Sequence, residues 1–287
     1  MVMVITVDGT GDPGTGLGRI VPLIDGMPAQ GLLSLVDFDG GVEGAAFAGP
    51  YLDKSGNGNN FTLKPGYAAP IQRSYGLEVT SPHGAPMGTP IPGNMRDFTI
   101  IAAITPMFPG GESGITTNIF SANQPSLDDG TPSNSNPTIT NYPVINMIGS
   151  GATGTWALYA DATTIPWGVG NRQTFNGSPG YMQPAILGVS LSGTEVSGGV
   201  AGVARLMAHG QTEKVIASNA LAAFFDGVTA RPQLVAGVWP NGSARTAAPV
   251  LARLHSVAVY ARSMSTAEMA EVLDRMHTRL VARGIEI

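Results

Sequence analysis

The chain has 287 residues, of which 43% are apolar and 12% are charged, with no cysteine and a formal net charge of −5. The apolar share suffices for a buried core, and the absence of cysteine excludes disulfides and thiolate-bound metals. No run of lysine and arginine is present, which argues against a nucleic-acid partner held through its phosphates. The sequence has no apolar run of about 18 residues, so no membrane span is predicted, and the N-terminus lacks the features of a signal peptide.

The 39 glycines and 22 prolines favour an all-β chain with many turns over long helices. Residues 1–30 are predicted to form an N-terminal arm, which opens with an alternating strand at Val2 to Val7. Residues 31–287 are predicted to form one domain. Its early strands are expected within residues 31–49, near Phe61 and Leu63, and at Leu77 to Val79.

A buried strand is the clearest feature of the middle of the chain. RDFTIIAAIT, residues 96–105, is almost continuously apolar and ends at Pro106. A long loop insertion follows at residues 109–142, with one strand candidate at Thr117 to Ser121. Later strands are predicted at Val144–Ile148, Thr155–Tyr159, Ala185–Leu191, Val203–Ala208, Leu234–Val238 and Ala252–Tyr260. Their spacing of about ten residues is typical of an antiparallel sandwich or barrel.

One helix is predicted near the end of the chain. Ser265-Thr266-Ala267-Glu268 fits a capping box, and the apolar residues from Met269 to Val281 recur at helical spacing. Gly284 supplies a stop signal. A shorter helical piece is expected at Asn219 to Phe225.

The acidic residues do not form a glycosidase pattern. A sandwich glucanase places two carboxylates on one strand face, so that both flank the scissile bond. Asp37-Phe38-Asp39 has the right parity, but no glutamate stands nearby, and no glutamate precedes an aspartate by two residues anywhere in the chain. We therefore expect no catalytic residues and no enzymatic activity.

Loop residues are the candidates for ligand binding. Trp167 and Tyr181 lie in predicted loops, where their ring faces would be free to stack on sugars. Asp128, Asp129 and Asn134 lie in the long insertion and would accept hydroxyl protons from a saccharide. No cofactor is predicted. Ca²⁺ is the one metal considered, since loop aspartates could supply oxygen ligands, but ordinary turn chemistry also explains them: Asp37, Asp39, Asp53, Asp128 and Asp129.

The stretch DKSGNGNN, residues 53–60, can be a binding loop or a corner between strands. Gly56 and Gly58 would permit positive φ angles there. Asn57 and Asn59 are expected to hydrogen-bond their own backbone, and Asp53 is expected to cap the turn. We interpret the stretch as turn chemistry.

Four segments in order resemble one family. DKSGNGNNFTL (53–63), RDFTIIAAITP (96–106), RLMAHGQ (205–211) and LHSVAVYARSMSTAEMAEVL (254–273) resemble segments of laminin-G-like, concanavalin A-like lectin-glucanase jelly-roll domains. The resemblance covers about residues 31 to 275 and departs from the family where Ala103 or a neighbour replaces a strand tryptophan. It implies two antiparallel sheets packed face to face in a jelly-roll sandwich, with a glycan- or protein-binding role in many members. It carries no catalytic residues onto this chain.

Such domains are common in virion and cell-surface proteins. Together with the low share of charged residues, the lack of signal-peptide features and the absence of cysteine, this leads us to expect a phage-type structural component: a capsid decoration, head-fibre or tail protein. Such a protein would be located in the virion after assembly in the host cytoplasm. Its partners would be other virion proteins, further copies of itself in a homo-oligomer, and host-surface glycans. Two alternatives remain, a free-standing carbohydrate-binding lectin and a polysaccharide-degrading enzyme.

Overall fold

The computed structural model describes residues 3–7, 20–80, 84–92, 95–106, 115–121, 143–150, 153–160, 172–174, 184–217, 219, 233–241 and 252–287. The strands are β1 (Met3–Val7), β2 (Ile20–Ile24), β3 (Met27–Pro28), β4 (Leu32–Asp37), β5 (Thr62–Leu63), β6 (Ile71–Arg73), β7 (Gly76–Val79), β8 (Ala85–Pro92), β9 (Asp97–Pro106), β10 (Ile115–Ser121), β11 (Pro143–Ser150), β12 (Thr153–Ala160), β13 (Arg172–Thr174), β14 (Ala185–Ser197), β15 (Val200–Ala208), β16 (Lys214–Ala217), β17 (Gln233–Asn241) and β18 (Ala252–Tyr260). They are followed by helix α1 (Thr266–Ala282).

The strands of the described residues form three antiparallel sheets. The first large sheet has eight strands, in the order β16-β15-β14-β9-β18-β7-β6, with β4 also paired to β18. The second has seven strands, in the order β13-β12-β11-β10-β17-β8-β5. A small sheet, β1-β2-β3, forms from the N-terminal segment. The predicted all-β, two-sheet jelly-roll sandwich with a short C-terminal helix is confirmed.

The alternation of side chains along β9 explains the layers. Ile100 and Ile104 belong to the core between the two large sheets, where they join Phe38 and Met87. Ile101 belongs to a second core between the eight-stranded sheet and α1. Because both faces of β9 are covered, the strand is apolar at almost every position rather than at every second one. The predicted buried strand at 96–105 is thus confirmed.

Helix α1 begins as the sequence predicts. Ser265 is its N-cap, and the reciprocal hydrogen bonds of a capping box with Glu268 are present. Its apolar face, including Met269, Leu273 and Met276, is buried on the outer side of the eight-stranded sheet. The chain leaves the helix through Gly284, whose φ is 75°.

The N-terminal segment predicted as an arm is docked at its C-terminal end. Met27 of β3 is fully buried in the core beneath α1, and Leu23 of β2 is 5% exposed. The helical piece predicted at residues 219–225 lies outside the described residues, except for Asn219. Among the helices of the described residues, none is long and apolar enough to cross a membrane.

Candidate functional site

The loop at residues 53–60 covers an edge of the eight-stranded sheet. Asp53 is its organising residue, because its Oδ1 accepts hydrogen bonds from the backbone N–H of Leu35 at 2.9 Å and of Ser55 at 2.8 Å. Its Oδ2 accepts from the N–H of Asn59 at 3.0 Å. A carboxylate holding three backbone amides is turn chemistry, and this confirms that Asp53 caps the turn.

The expectation that Asn57 and Asn59 bond their own backbone is wrong. The side-chain amide of Asn57 donates to the carbonyls of Leu32 at 2.9 Å and Leu33 at 3.2 Å, and that of Asn59 donates to Leu33 at 2.8 Å. Among the described strands, β4 pairs with β18, and its other edge forms an isolated bridge between Val36 and Asp53, so the carbonyls of Leu32 and Leu33 on that edge need donors. The loop supplies these donors and is therefore fixed against β4, which fixes Lys54 as well.

Lys54 meets a buried carboxylate at the end of β4. The Asp37 side chain is 0% exposed, and its Oδ2 lies 2.6 Å from Lys54 Nζ. Arg279 of α1 binds both carboxylate oxygens of Asp37 through its two Nη atoms. Arg283 Nη1 lies 2.8 Å from Asp37 Oδ1. The buried Asp37 carboxylate therefore forms ion pairs with three cations from two distant parts of the chain.

These cations decide the ionisation of Asp37. Burial alone would raise the pKa of its carboxyl group. The hydrogen bonds and charge of Arg279, with help from Arg283 and Lys54, outweigh burial and hold the pKa at about 2. Asp37 is therefore a fixed anion at every physiological pH.

Arg279 also anchors the turn between β2 and β3. Its Nε donates to the Asp25 carbonyl at 3.1 Å, and its Nη2 lies 2.5 Å from the Asp25 carboxylate. Asp25 has a left-handed φ of 48°, which is uncommon for a residue other than glycine. The double contact with Arg279 stabilises this turn and holds the small sheet against α1.

A cleft of 640 Å³ opens over this network. Its lining includes the β2–β3 turn, the end of β4, Lys54 and the last turns of α1. At its mouth, Asp39 Oδ2 lies 3.3 Å from Lys54 Nζ and 3.3 Å from Arg283 Nη2. Thr278 and Arg275 complete the polar wall on the helix side. The cleft thus presents hydroxyl, carboxylate and cationic groups side by side.

A second polar cluster lies on β6, β7 and β18. Glu78 is bound by Arg73 at 2.9 Å, by the Tyr75 hydroxyl at 2.8 Å and by Arg253 at 3.4 Å. Burial would raise the pKa of Glu78, but the hydrogen bonds from Tyr75 and Arg73 and the two nearby cations lower it. The Glu78 carboxylate is therefore also ionised, and its oxygens are already engaged by these three partners.

The buried histidine is equally engaged. His255 Nδ1 lies 2.8 Å from the Tyr75 carbonyl, so it is the protonated nitrogen, and Nε2 lies 2.8 Å from the Thr105 hydroxyl. Burial lowers the pKa of this imidazole, which keeps it neutral. His209 and His277 stack on each other with ring centroids 4.4 Å apart. None of these three histidines stands beside a pair of acids, and they have structural contacts instead.

The residues predicted to bind a ligand lie outside the described residues. This holds for Trp167, Tyr181, Asp128, Asp129 and Asn134, so their predicted role stays a prediction. Among the aspartates considered for Ca²⁺, Asp37 is occupied by arginines and Asp53 by backbone amides. No group of three or more potential metal ligands occurs within the described part of the chain.

The comparisons with known proteins concern the fold. A scan against protein-family models finds no match, and a search of the curated proteins also finds none. The chain is similar in structure to botulinum neurotoxin type C, with a TM-score of 0.50, 12% identity, and coverage of 88% of this chain and 51% of that chain. For the binding domain of botulinum neurotoxin serotype D/C, the TM-score is 0.51, the identity 9% and the coverage 85% and 52%. A Trypanosoma rangeli sialidase gives a TM-score of 0.48, 13% identity, and coverage of 96% and 36%.

The chain therefore spans about half the length of the two neurotoxin structures. Its similarity to them is one of fold and agrees with the antiparallel sandwich described above. At these identities, no residue of the cleft is assigned a role by the likeness.

Proposed function

We propose that this chain is a non-enzymatic structural and binding component of a virion-type assembly, with a glycan-binding face. The observation that carries the non-enzymatic part is the state of Asp37. A glycosidase needs one carboxyl group that can release a proton near the working pH. Asp37 has a pKa of about 2 and is held by arginines on both oxygens, which makes it unsuited to the role of the proton-donating acid.

The glycan-binding part rests on the chemistry of the cleft. Saccharides are held by a few fixed polar groups in a concave site, together with apolar or aromatic faces. The cleft has the volume for a monosaccharide unit and offers Lys54, Arg275 and Thr278 as partners for hydroxyl groups. The fold likeness supports the same proposal, since botulinum neurotoxin type C needs interaction with two ganglioside molecules to enter cells. Trp167 and Tyr181 remain the aromatic candidates that the sequence offers for stacking on sugar rings.

Glycan-array binding followed by product analysis tests this proposal. We expect the protein to bind at least one class of glycan on the array, and we expect no cleavage product to form. Trp167→Ala and Tyr181→Ala should each weaken binding by about fivefold, since a stacking aromatic contributes about 1 kcal/mol. Leu52→Ala is the matched control, because Leu52 is 63% exposed and outside the cleft. Cleavage of a bound glycan, or binding to none, would overturn the proposal.

Size-exclusion chromatography with light scattering tests the assembly part. Only 12% of the residues are charged, which leaves more uncharged surface than a free-standing protein usually has. Such a surface favours contact with neighbouring proteins. We expect a homo-oligomer at micromolar concentration. A stable monomer that binds glycans would instead favour the free-standing lectin.

A further inference from the structure

We infer that Asp39 is an exchangeable counter-ion at an oxyanion site between Lys54 and Arg283, and that the acidic group of a saccharide takes its place. The inference rests on the proposed glycan binding and names the class of saccharide. The ligand would carry a carboxylate or a sulfate on a single sugar unit. Neutral sugars would lack the group that replaces the Asp39 carboxylate.

Two carboxylates, Asp37 and Asp39, share the same cations but are held differently. Lys54 Nζ lies 2.6 Å from the buried Asp37 and 3.3 Å from Asp39. Arg283 shows the same order, with 2.8 Å to Asp37 and 3.3 Å to Asp39. The Asp39 side chain is 38% exposed, and an ion pair this exposed adds little to stability because water and salt screen it. Asp39 is therefore held weakly, whereas Asp37 is fixed.

Arg283 and Lys54 have hydrogen-bond donors that Asp39 does not use. Arg283 Nη1 is buried, and no described residue offers it an acceptor in hydrogen-bond geometry, although Asp37 stands close enough for an ion pair. The ammonium of Lys54 has three donors and makes hydrogen bonds to two carboxylate oxygens. An oxyanion with several oxygens can engage such donors better than one loosely placed aspartate.

The Asp39 carboxylate can move away from Lys54 and Arg283 without leaving a buried charge unpaired. Asp37 keeps the bidentate contact with Arg279 and the short contact with Lys54. The cleft of 640 Å³ provides the room for the sugar ring beside Thr278.

Isothermal titration calorimetry on the full chain tests the inference with four probes. They are a hexuronate, a sulfated hexose, the methyl glycoside of a neutral hexose, and inorganic sulfate. We expect the two acidic sugars to bind more tightly than the other two. Asp39→Asn should raise their affinity by about threefold, because it removes the internal competitor. The comparison of hexuronate with sulfated hexose identifies which acidic group the site prefers.

Glu43→Gln is the matched control, since it also removes one negative charge. Glu43 is 59% exposed, pairs with Arg73 at 3.6 Å and does not line the cleft. It should leave the affinity unchanged. Lys54→Gln should lower the affinity for acidic sugars by about tenfold, and Lys54→Arg should restore part of it. Thermal unfolding of each variant shows that the fold is kept, and Asp39→Asn decides the matter even where Lys54→Gln does not fold.

Three results would overturn the inference. One is an equal effect of Asp39→Asn and Glu43→Gln on the affinity for acidic sugars, which would show that the effect comes from net charge alone. Another is inorganic sulfate binding as tightly as the sulfated hexose, which would leave an anion site without sugar recognition. The third is preference for the neutral glycoside, which would remove the acidic class while leaving the proposed glycan binding in place. Binding to no glycan on the array would instead defeat the proposed function.

Discussion

Asp37 and Asp39 show how two residues of one short motif acquire different roles. They stand two positions apart and were considered together as a carboxylate pair. Asp37 is the last residue of β4 and points under α1, where Arg279 and Arg283 reach it. Asp39 lies beyond the strand, at the mouth of the cleft. The sequence predicts the spacing, but only the position of the helix decides that one is buried and the other exposed.

The pH dependence of stability tests the description of Asp37. Its pKa falls from 3.8 to about 2 on folding, so its stabilising contribution is complete above about pH 4 and is lost as the pH falls through about 2. We expect a loss of about 2 kcal/mol in the free energy of unfolding across this range, measured by urea titration. Glu268 has a folded pKa of about 2 as well and contributes in the same window.

The variant Asp37→Asn separates the two contributions. It should be about 3–5 kcal/mol less stable than the wild type at pH 7, because it leaves Arg279 and Arg283 without their buried counter-ion. It should also show a shallower loss of stability between pH 4 and 2. The same loss at pH 7 from Asp39→Asn would contradict the distinction between a fixed and an exchangeable carboxylate.

At the scale of elements, local signals were sufficient where the structure is local. The capping box predicts the start of α1, and the apolar run of RDFTIIAAIT predicts β9, because both depend on neighbours in sequence. The loop at 53–60 was predicted as a turn, and Gly56 and Gly58 indeed have φ angles of 86° and 76°. The partners of its asparagines were not predictable, since the free edge of β4 appears only when the sheet is formed.

Gly76 provides a test at this scale. It opens β7 with a φ of 135°, and a Cβ there would stand 2.0 Å from the carbonyl oxygen of Leu254 on β18. Gly76→Ala should therefore lower the free energy of unfolding by about 3 kcal/mol or more, since backbone must move. Gly58→Ala is the control: its φ is also positive, but nothing lies within 4 Å, so the cost should be about 1 kcal/mol. Urea unfolding midpoints measure both, and equal midpoints would contradict the close approach of β7 and β18.

At the scale of the whole molecule, the cleft joins parts of the chain that are far apart in sequence. Arg279 is separated from Asp37 by 242 residues and from Asp25 by 254 residues. No sequence pattern links such residues, which explains why the cleft was missed while the sandwich was predicted. The signal that was present is modest: Arg275 and Arg279 in the last turns of α1 and Arg283 at its C-cap follow one another at intervals of four, on one side of the helix.

Hydrogen–deuterium exchange with and without an acidic monosaccharide tests whether the cleft beside α1 is the binding site. We expect slower exchange of backbone amides at residues 38–41, 53–60 and 278–284 when the sugar is bound, because these segments contain the cleft residues Asp39, Lys54 and Arg283. We also expect Asp39→Asn to keep this pattern at lower sugar concentration. Unchanged exchange in all three segments under conditions where calorimetry shows the sugar bound would contradict binding in the cleft.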